Sequence, residues 1–168
     1  DAAQGLNSIV KLFGFLLFKC HPLMPQVQQM PYQSFDTFVS LPTTSPLRDR
    51  ADIVRCLSSF KKNTDLVLGI TLADRNPWFN MVKQDRNGSI KLLMDDEVKF
   101  STRQETPVVY NMTTVAYVSR PKFILQSKGI FNGNVTGVEI PAERSLDIDT
   151  ELDFKIAEFL MKERDNYN

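Results

Sequence analysis

Asp147 and Asp149 stand one residue apart in Ser-Leu-Asp-Ile-Asp (145–149), where aliphatic Leu146 and Ile148 alternate with them. As a strand, this run directs both carboxylates to one face and both aliphatic side chains to the other. Like charges side by side need a cation to share or open solvent to screen them, and hard oxygen ligands favour magnesium or calcium. Exposed turn acids show the same spacing, so the pair by itself leaves both readings open. Thr150 follows, with Asp153 three positions on, the pattern of a helix N-cap with an acidic partner; Leu152, Ile156, Phe159 and Leu160 then recur at helical spacing. The expectation is a strand feeding directly into an amphipathic helix.

Other groups able to hold a ligand lie upstream, each on an element the pattern suggests. Residues 35–41, rich in Phe, Val and Leu, read as a largely buried parallel strand that ends at Pro42. Thr43, Thr44 and Ser45 would then set hydroxyls and amides at the C-terminal end of that strand, the edge where α/β sheets bind ligands; plain N-capping hydroxyls are the other reading. Pro46 closes the turn, and Ile53, Leu57 and Phe60 mark one face of the next helix. A second buried strand is expected at Asp65–Ala73, broken by Asn76 and Pro77. Trp78, read as a packing residue, and Phe79 lead into a hairpin at 81–93 that turns on Asn87 and Gly88. The Arg103 guanidinium, beside Gln104, can donate two parallel hydrogen bonds to a carboxylate or phosphate, or it can simply be a surface arginine. Tyr117 reads equally as pocket or core.

Composition bounds the function. The chain has 168 residues, enough for a real core, with 20 basic and 20 acidic side chains. That balance gives no field for non-specific nucleic-acid binding, so no nucleic-acid partner is expected. Cys20 and Cys56 form no C-x-x-C, which suits a reducing, cytoplasmic compartment, and the single histidine, His21, leaves no histidine-based catalytic triad to expect. The apolar run Ile9–Phe18 is too short to cross a bilayer and has neither a basic stretch before it nor an A-x-A site after it, so neither membrane anchor nor signal peptide is expected. The proline-rich stretch at 19–34 reads as irregular chain.

The run ERSLDIDTELDFKIAE (143–158) closely resembles the C-terminal motif of the acylneuraminate cytidylyltransferases, which activate sialic acids and related nonulosonic acids as CMP-sugars. The resemblance extends upstream, in the family's order. It takes in SLPTTSPLRDRADI (40–53), RNPWF (75–79), the Asn87-Gly88 turn, RQETPVVY (103–110) and VAY (115–117), and covers roughly Phe35 to Leu160.

The resemblance implies an α/β, Rossmann-like nucleotide-diphospho-sugar transferase fold. It divides the chain into a diverged N-terminal segment at 1–34 and a cytidylyltransferase-like domain at 35–168. The implied reaction is attack of the sugar's anomeric hydroxyl on the α-phosphorus of CTP, with Mg2+ held by Asp147 and Asp149, which are thereby both the metal and the catalytic residues. Arg103, Gln104 and Tyr117 would hold the sugar acid, and Thr44 and Ser45 the cleft between the substrates. The stretch at 120–141 resembles a dimerisation arm, with Ile130 and Phe131 against the partner's substrate, which implies a homodimer.

Departures from the family are plain. Pro42 replaces a frequent glutamine, Thr113 and Thr114 replace an Asn-Gly pair, and nothing in 1–35 resembles the family's glycine- and lysine-rich phosphate loop. The Ser-Lys-Gly within 126–134 falls in the wrong place to replace that loop. These departures support an alternative, a truncated or diverged member acting as a binding or structural partner without turnover.

Overall fold

The computed structural model describes residues 36–95 and 100–166. The expectations for 1–34, including the apolar run and the proline-rich stretch, lie outside the described residues. The chain divides into two compact units, one formed by residues up to Ile70 together with those from Met112 onward, the other by Thr71–Asn111.

In the first unit β1 (Phe38–Ser40) leads into α1 (Arg50–Ser59) and then into β2 (Leu66–Leu72), whose end passes into the second unit. The chain returns along β5 (Tyr110–Ser119) and continues through α2 (Pro121–Gln126), β6 (Val135–Glu139), a 3-10 turn at Ala142–Arg144 and α3 (Glu151–Asn166). The sheet runs in the order β1-β5-β2-β6. β2 and β6 are parallel, with Leu66 opposite Val135 and Ile70 opposite Glu139.

β1 differs from expectation. It runs antiparallel to β5, pairing Ser40 with Tyr117, and its residues are half-buried or exposed. It is an end strand of the sheet among the described residues. An end strand has one partner to supply its ladder, so its apolar run does not report a parallel neighbour on each side.

The core lies on the two faces of β2 and β5. Val67, Val115 and Val118 pack with Cys56 of α1 and with Val138 and Ile140. Leu66, Leu68 and Tyr117 pack with Ile124 of α2. Burial raises the Cys56 thiol to about 11, so it behaves as a small apolar group.

α1 begins with a reciprocal cap in which the Asp49 side chain accepts from the helix and the Asp52 side chain accepts from the Asp49 amide. Its inward residues are Asp52 and Cys56, whereas Leu57 is exposed. Of the expected Ile53–Leu57–Phe60 face, Phe60 packs against the core and Ile53 is half-buried, while Leu57 is turned out. Periodicity identified the helix, but a buried carboxylate with its own partners set which side turns inward.

α3 shows the same shift. Ala157 is its buried residue, while Leu152, Ile156 and Phe159 are exposed. The small alanine allows close approach on a side that the larger residues do not occupy. The expected cap is present: the Thr150 amide and hydroxyl both donate to the Asp153 carboxylate at 2.7 Å, and the Asp153 amide donates back to Thr150. These bonds hold Asp153 below the usual carboxylate range.

In the second unit, Asn76 organises the chain. Its side-chain amide donates to Thr106 Oγ1 and to the Pro107 carbonyl, its side-chain oxygen accepts from the Trp78 amide, and its carbonyl accepts from three successive amides at 79–81. The hairpin is as expected, with β3 (Val82–Gln84) antiparallel to β4 (Ile90–Leu92) and Gly88 at φ +83° in the turn.

Gly69 marks a tight approach between β2 and its neighbours in the first unit. A Cβ there would collide with the Thr113 hydroxyl and come within 3.1 Å of Ile140. Gly69→Ala is therefore expected to lower stability by about 1–3 kcal/mol, read as a lower urea midpoint with an unchanged slope. An unchanged midpoint would show that the strands have room this packing denies.

Candidate functional site

The C-terminal ends of β1 and β6 bring two loops together in the first unit. One is the turn 42–48 after β1, the other the stretch 141–149 that follows β6. Their backbones meet where the Ile148 amide donates to the Thr44 carbonyl at 2.8 Å. Residues 145–149 form no ladder strand in place of the expected one; the stretch is irregular chain whose backbone is tied to Thr44 at Ile148.

Asp147 is half-buried and Asp149 exposed. Asp147 Oδ1 is buried and has no hydrogen-bond partner among the described residues. A buried carboxylate oxygen normally has a donor or a cation, because leaving it bare costs on the order of 1–3 kcal/mol or more. The charge on Asp147 is felt by two neighbours. Burial pushes the Tyr117 hydroxyl up to about 12 and the Asp147 charge adds to that rise. Burial lowers Arg48, and the same carboxylate partly offsets it.

Arg48 was not singled out among the candidate site residues. Its Nε donates to the Ser45 carbonyl and its Nη1 to the Val115 carbonyl, both at 2.9 Å, so it staples the turn to β5. It places a fixed positive charge beside the carboxylate pair. The signal available was its place in Ser-Pro-Leu-Arg, between the hydroxyl turn and α1.

The other expected site residues separate into groups. Thr44 is half-buried and offers its carbonyl to Ile148. Ser45 is fully buried with its hydroxyl 2.5 Å from that of Thr114, so its side chain is committed internally. Thr114, one of the two departures from the family's Asn-Gly, thus anchors the turn. Tyr117 is buried in the Leu66–Leu68–Ile124 cluster, and its ring acts in packing. Ile130 packs half-buried against that same cluster, while Phe131 is 71% exposed.

Arg103 and Gln104 lie in the second unit, exposed on a single 3-10 turn (Arg103–Glu105). Arg103 Nη2 donates to the Ala73 carbonyl at 2.9 Å, which leaves its remaining N–H groups for a ligand.

A charged cluster centred on Asp52, which no local pattern announces as a cluster, ties α1 to the stretch 141–149. Asp52 has no exposed surface and accepts from Arg144 Nε at 2.9 Å, Arg144 Nη2 at 3.1 Å, Arg55 Nη2 at 2.6 Å and the Asp49 amide at 3.0 Å. Burial by itself would raise the Asp52 carboxyl, but the Arg144 fork, the Asp49 amide and Arg55 together hold it below its ordinary value. Arg144 is correspondingly raised, chiefly by its hydrogen bonds to Asp52.

No protein-family model matches the chain. Among curated proteins it is 38% identical over 132 residues to post-translational flagellin modification protein B of Campylobacter coli, an alignment covering 77% of this chain and 54% of that protein. It is 37% identical over 89 residues to the CMP-N,N'-diacetyllegionaminic acid synthase of Campylobacter jejuni, covering 53% of this chain and 37% of that one. It is 26% identical over 124 residues to an N-acylneuraminate cytidylyltransferase of Streptococcus agalactiae, covering 73% and 30%. The chain is a relative of the acylneuraminate cytidylyltransferases. It spans about half the length, or less, of these curated relatives.

Among solved structures, the 4-diphosphocytidyl-2C-methyl-D-erythritol synthase of Anaerococcus prevotii superposes with a TM-score of 0.55 at 13% identity, over 83% of this chain and 64% of that one. At that identity the likeness establishes the fold alone, a Rossmann-like α/β architecture. The fold inferred for the acylneuraminate cytidylyltransferase relatives and the observed β1-β5-β2-β6 sheet with its parallel β2-β6 pair agree.

Because the folded value of Asp52 lies below its unfolded one, the stability it contributes is present above about pH 4 and is lost as pH falls through the folded value. Asp52→Asn is expected to cost about 3 kcal/mol at pH 7 and to flatten the acid limb of a stability-against-pH curve. Acid limbs of equal slope in the two proteins would contradict the assignment of that loss to Asp52.

Proposed function

We propose that this chain belongs to a cytidylyltransferase that transfers CMP from CTP to a sialic-acid-like nonulosonic acid, releasing pyrophosphate. The observation that carries the proposal is the buried, unpartnered Asp147 Oδ1 at the mouth of the β1 and β6 loops, with Arg48 beside it. The names of the relatives supply the substrate class.

The donor set suits Mg2+: two carboxylates, one with an oxygen turned inward and one exposed, offer the few protein ligands that this ion takes when phosphates and waters complete its shell. Bound there, Mg2+ would neutralise charge on the transferring phosphate. Asp147 and Asp149 would hold it.

The remaining work falls to positioning. The anomeric oxygen of the sugar acid forms a bond to the α-phosphorus as the bond from that phosphorus to the β-bridging oxygen breaks, and pyrophosphate leaves. The hydroxyl proton passes to a carboxylate, for which exposed Asp149 is the accessible choice. Arg48, locked to two carbonyls, keeps a positive charge beside Asp147 without competing for a flexible pose. Within its own unit, Arg103 keeps N–H groups that suit a carboxylate, with Gln104 beside it. Thr44 shapes the turn with its backbone, while Ser45 and Tyr117 support the wall from behind. Exposed Phe131 is a candidate contact to a second copy in a homodimer. No helix among the described residues is long and apolar enough to cross a membrane.

Calorimetric titration with CTP and Mg2+, with ATP as control, tests the proposal. Saturable, Mg2+-dependent CTP binding is expected, lost in Asp147→Ala, and pyrophosphate release with a nonulosonic acid is expected to fall by about 10²–10³ in kcat/KM. No binding at millimolar CTP in a folded sample would overturn it and leave the chain as a binding or structural partner.

A further inference from the structure

We infer that Asp52 and Arg144 form a clamp that positions Asp147, so that two residues with no direct contact to substrate set how well the carboxylate pair holds its cation. The inference rests on the function proposed above.

The argument begins with the path of the chain. After β6, Ile140 is still fixed to the sheet, its amide donating to the Ile70 carbonyl at 2.7 Å. The next backbone tie to a distant residue is Ile148 to Thr44. Between them the backbone bonds are local: Arg144 to Pro141 and Ser145 to Ala142. Asp147 stands in this stretch, one residue before its far anchor.

The Arg144 fork on Asp52 is the long-range side-chain tie within the stretch, reaching 92 positions back along the sequence. Two parallel N–H donors on a planar carboxylate fix direction as well as distance. Asp52 is itself immobilised. It is fully buried in α1, and the Asp49 amide and Arg55 occupy its remaining acceptor sites.

α1 also follows directly from the turn that carries Thr44 and Arg48. The stretch 141–149 is therefore tied to one structural block twice, at Asp52 and at Thr44, with Leu146 and Asp147 between the ties. If the first tie is removed, the segment keeps its anchor at Ile148 but loses the fork that sets its direction before that anchor, and Asp147 Oδ1 is no longer set where a buried cation would meet it. A hydrophobic contact could hold two elements equally close, but it could not fix the rotation of the segment that decides where the carboxylate points.

The test uses the whole chain and two variants. Asp52→Asn with Arg144→Gln replaces the ion pair by neutral amides, so no buried charge is left bare if a single substitution fails to fold; Arg144→Lys keeps the charge but loses the fork. Amide hydrogen exchange reads the positioning, and Mn2+ titration followed by electron paramagnetic resonance reads the consequence. In the double variant the Ile148 amide is expected to exchange at least about tenfold faster while the Val67 and Val115 amides keep their protection, and the Mn2+ dissociation constant is expected to rise about tenfold. Arg144→Lys should fall between.

Unchanged Ile148 exchange and Mn2+ affinity in a folded double variant would overturn the clamp. Failure of the unsubstituted chain to bind Mn2+ would overturn the function proposed above and, with it, the clamp's effect on the cation, while the Ile148 exchange rates still decide whether the clamp sets the segment.

Discussion

A carboxylate with no solvent contact is stable only if its lone pairs are met, and Asp52 meets them with a fork from Arg144, a bond from Arg55 and a backbone amide. Much of the first unit's ligand edge depends on that one requirement. It decides which side of α1 turns inward, displacing Leu57 to the surface, and it ties the chain beyond β6 to the helix that follows the hydroxyl turn. The reward for burying so polar a group is specificity of arrangement more than stability, since an apolar core of similar volume would hold equally well.

Around that anchor the turn 42–48 is built from commitments that leave few groups free. Ser45 is tied to Thr114, Arg48 to the carbonyls of Ser45 and Val115, and Thr44 to Ile148. Side chains that look available for a substrate in the sequence are in large part the scaffold of the site. Asp147 differs from these, because its inward oxygen has no hydrogen-bond partner among the described residues. The second unit is organised differently, by the buried amide of Asn76, and it carries the guanidinium of Arg103 on a rigid 3-10 turn.

The elements most legible in the sequence were those fixed by local chemistry. The Asn87-Gly88 hairpin, the Thr150–Asp153 cap and the strand β2 each follow from a few adjacent residues. Legibility ended where long-range partners decide. That β1 runs antiparallel depends on β5, some 80 residues away. The alternation in 145–149 announced a strand but cannot say whether a neighbour supplies a ladder. Helical spacing in α1 and α3 announced helices, yet Asp52 and Ala157 set their inward sides. Asp52, Arg144 and Arg48 do not stand out in one dimension because their partners are remote, although the Asp49-x-x-Asp52 spacing holds a capping signal.

The central claim is that the buried oxygen of Asp147 is completed by a cation shared with nucleotide phosphate. The most direct measurement is an anomalous-difference map at the manganese edge from crystals grown with Mn2+ and CTP. The account predicts a peak about 2.1–2.2 Å from Asp147 Oδ1, with Asp149 and phosphate oxygens completing the shell. A peak elsewhere, or an Asp147 carboxylate turned away to bond a protein donor with no metal beside it, would contradict it.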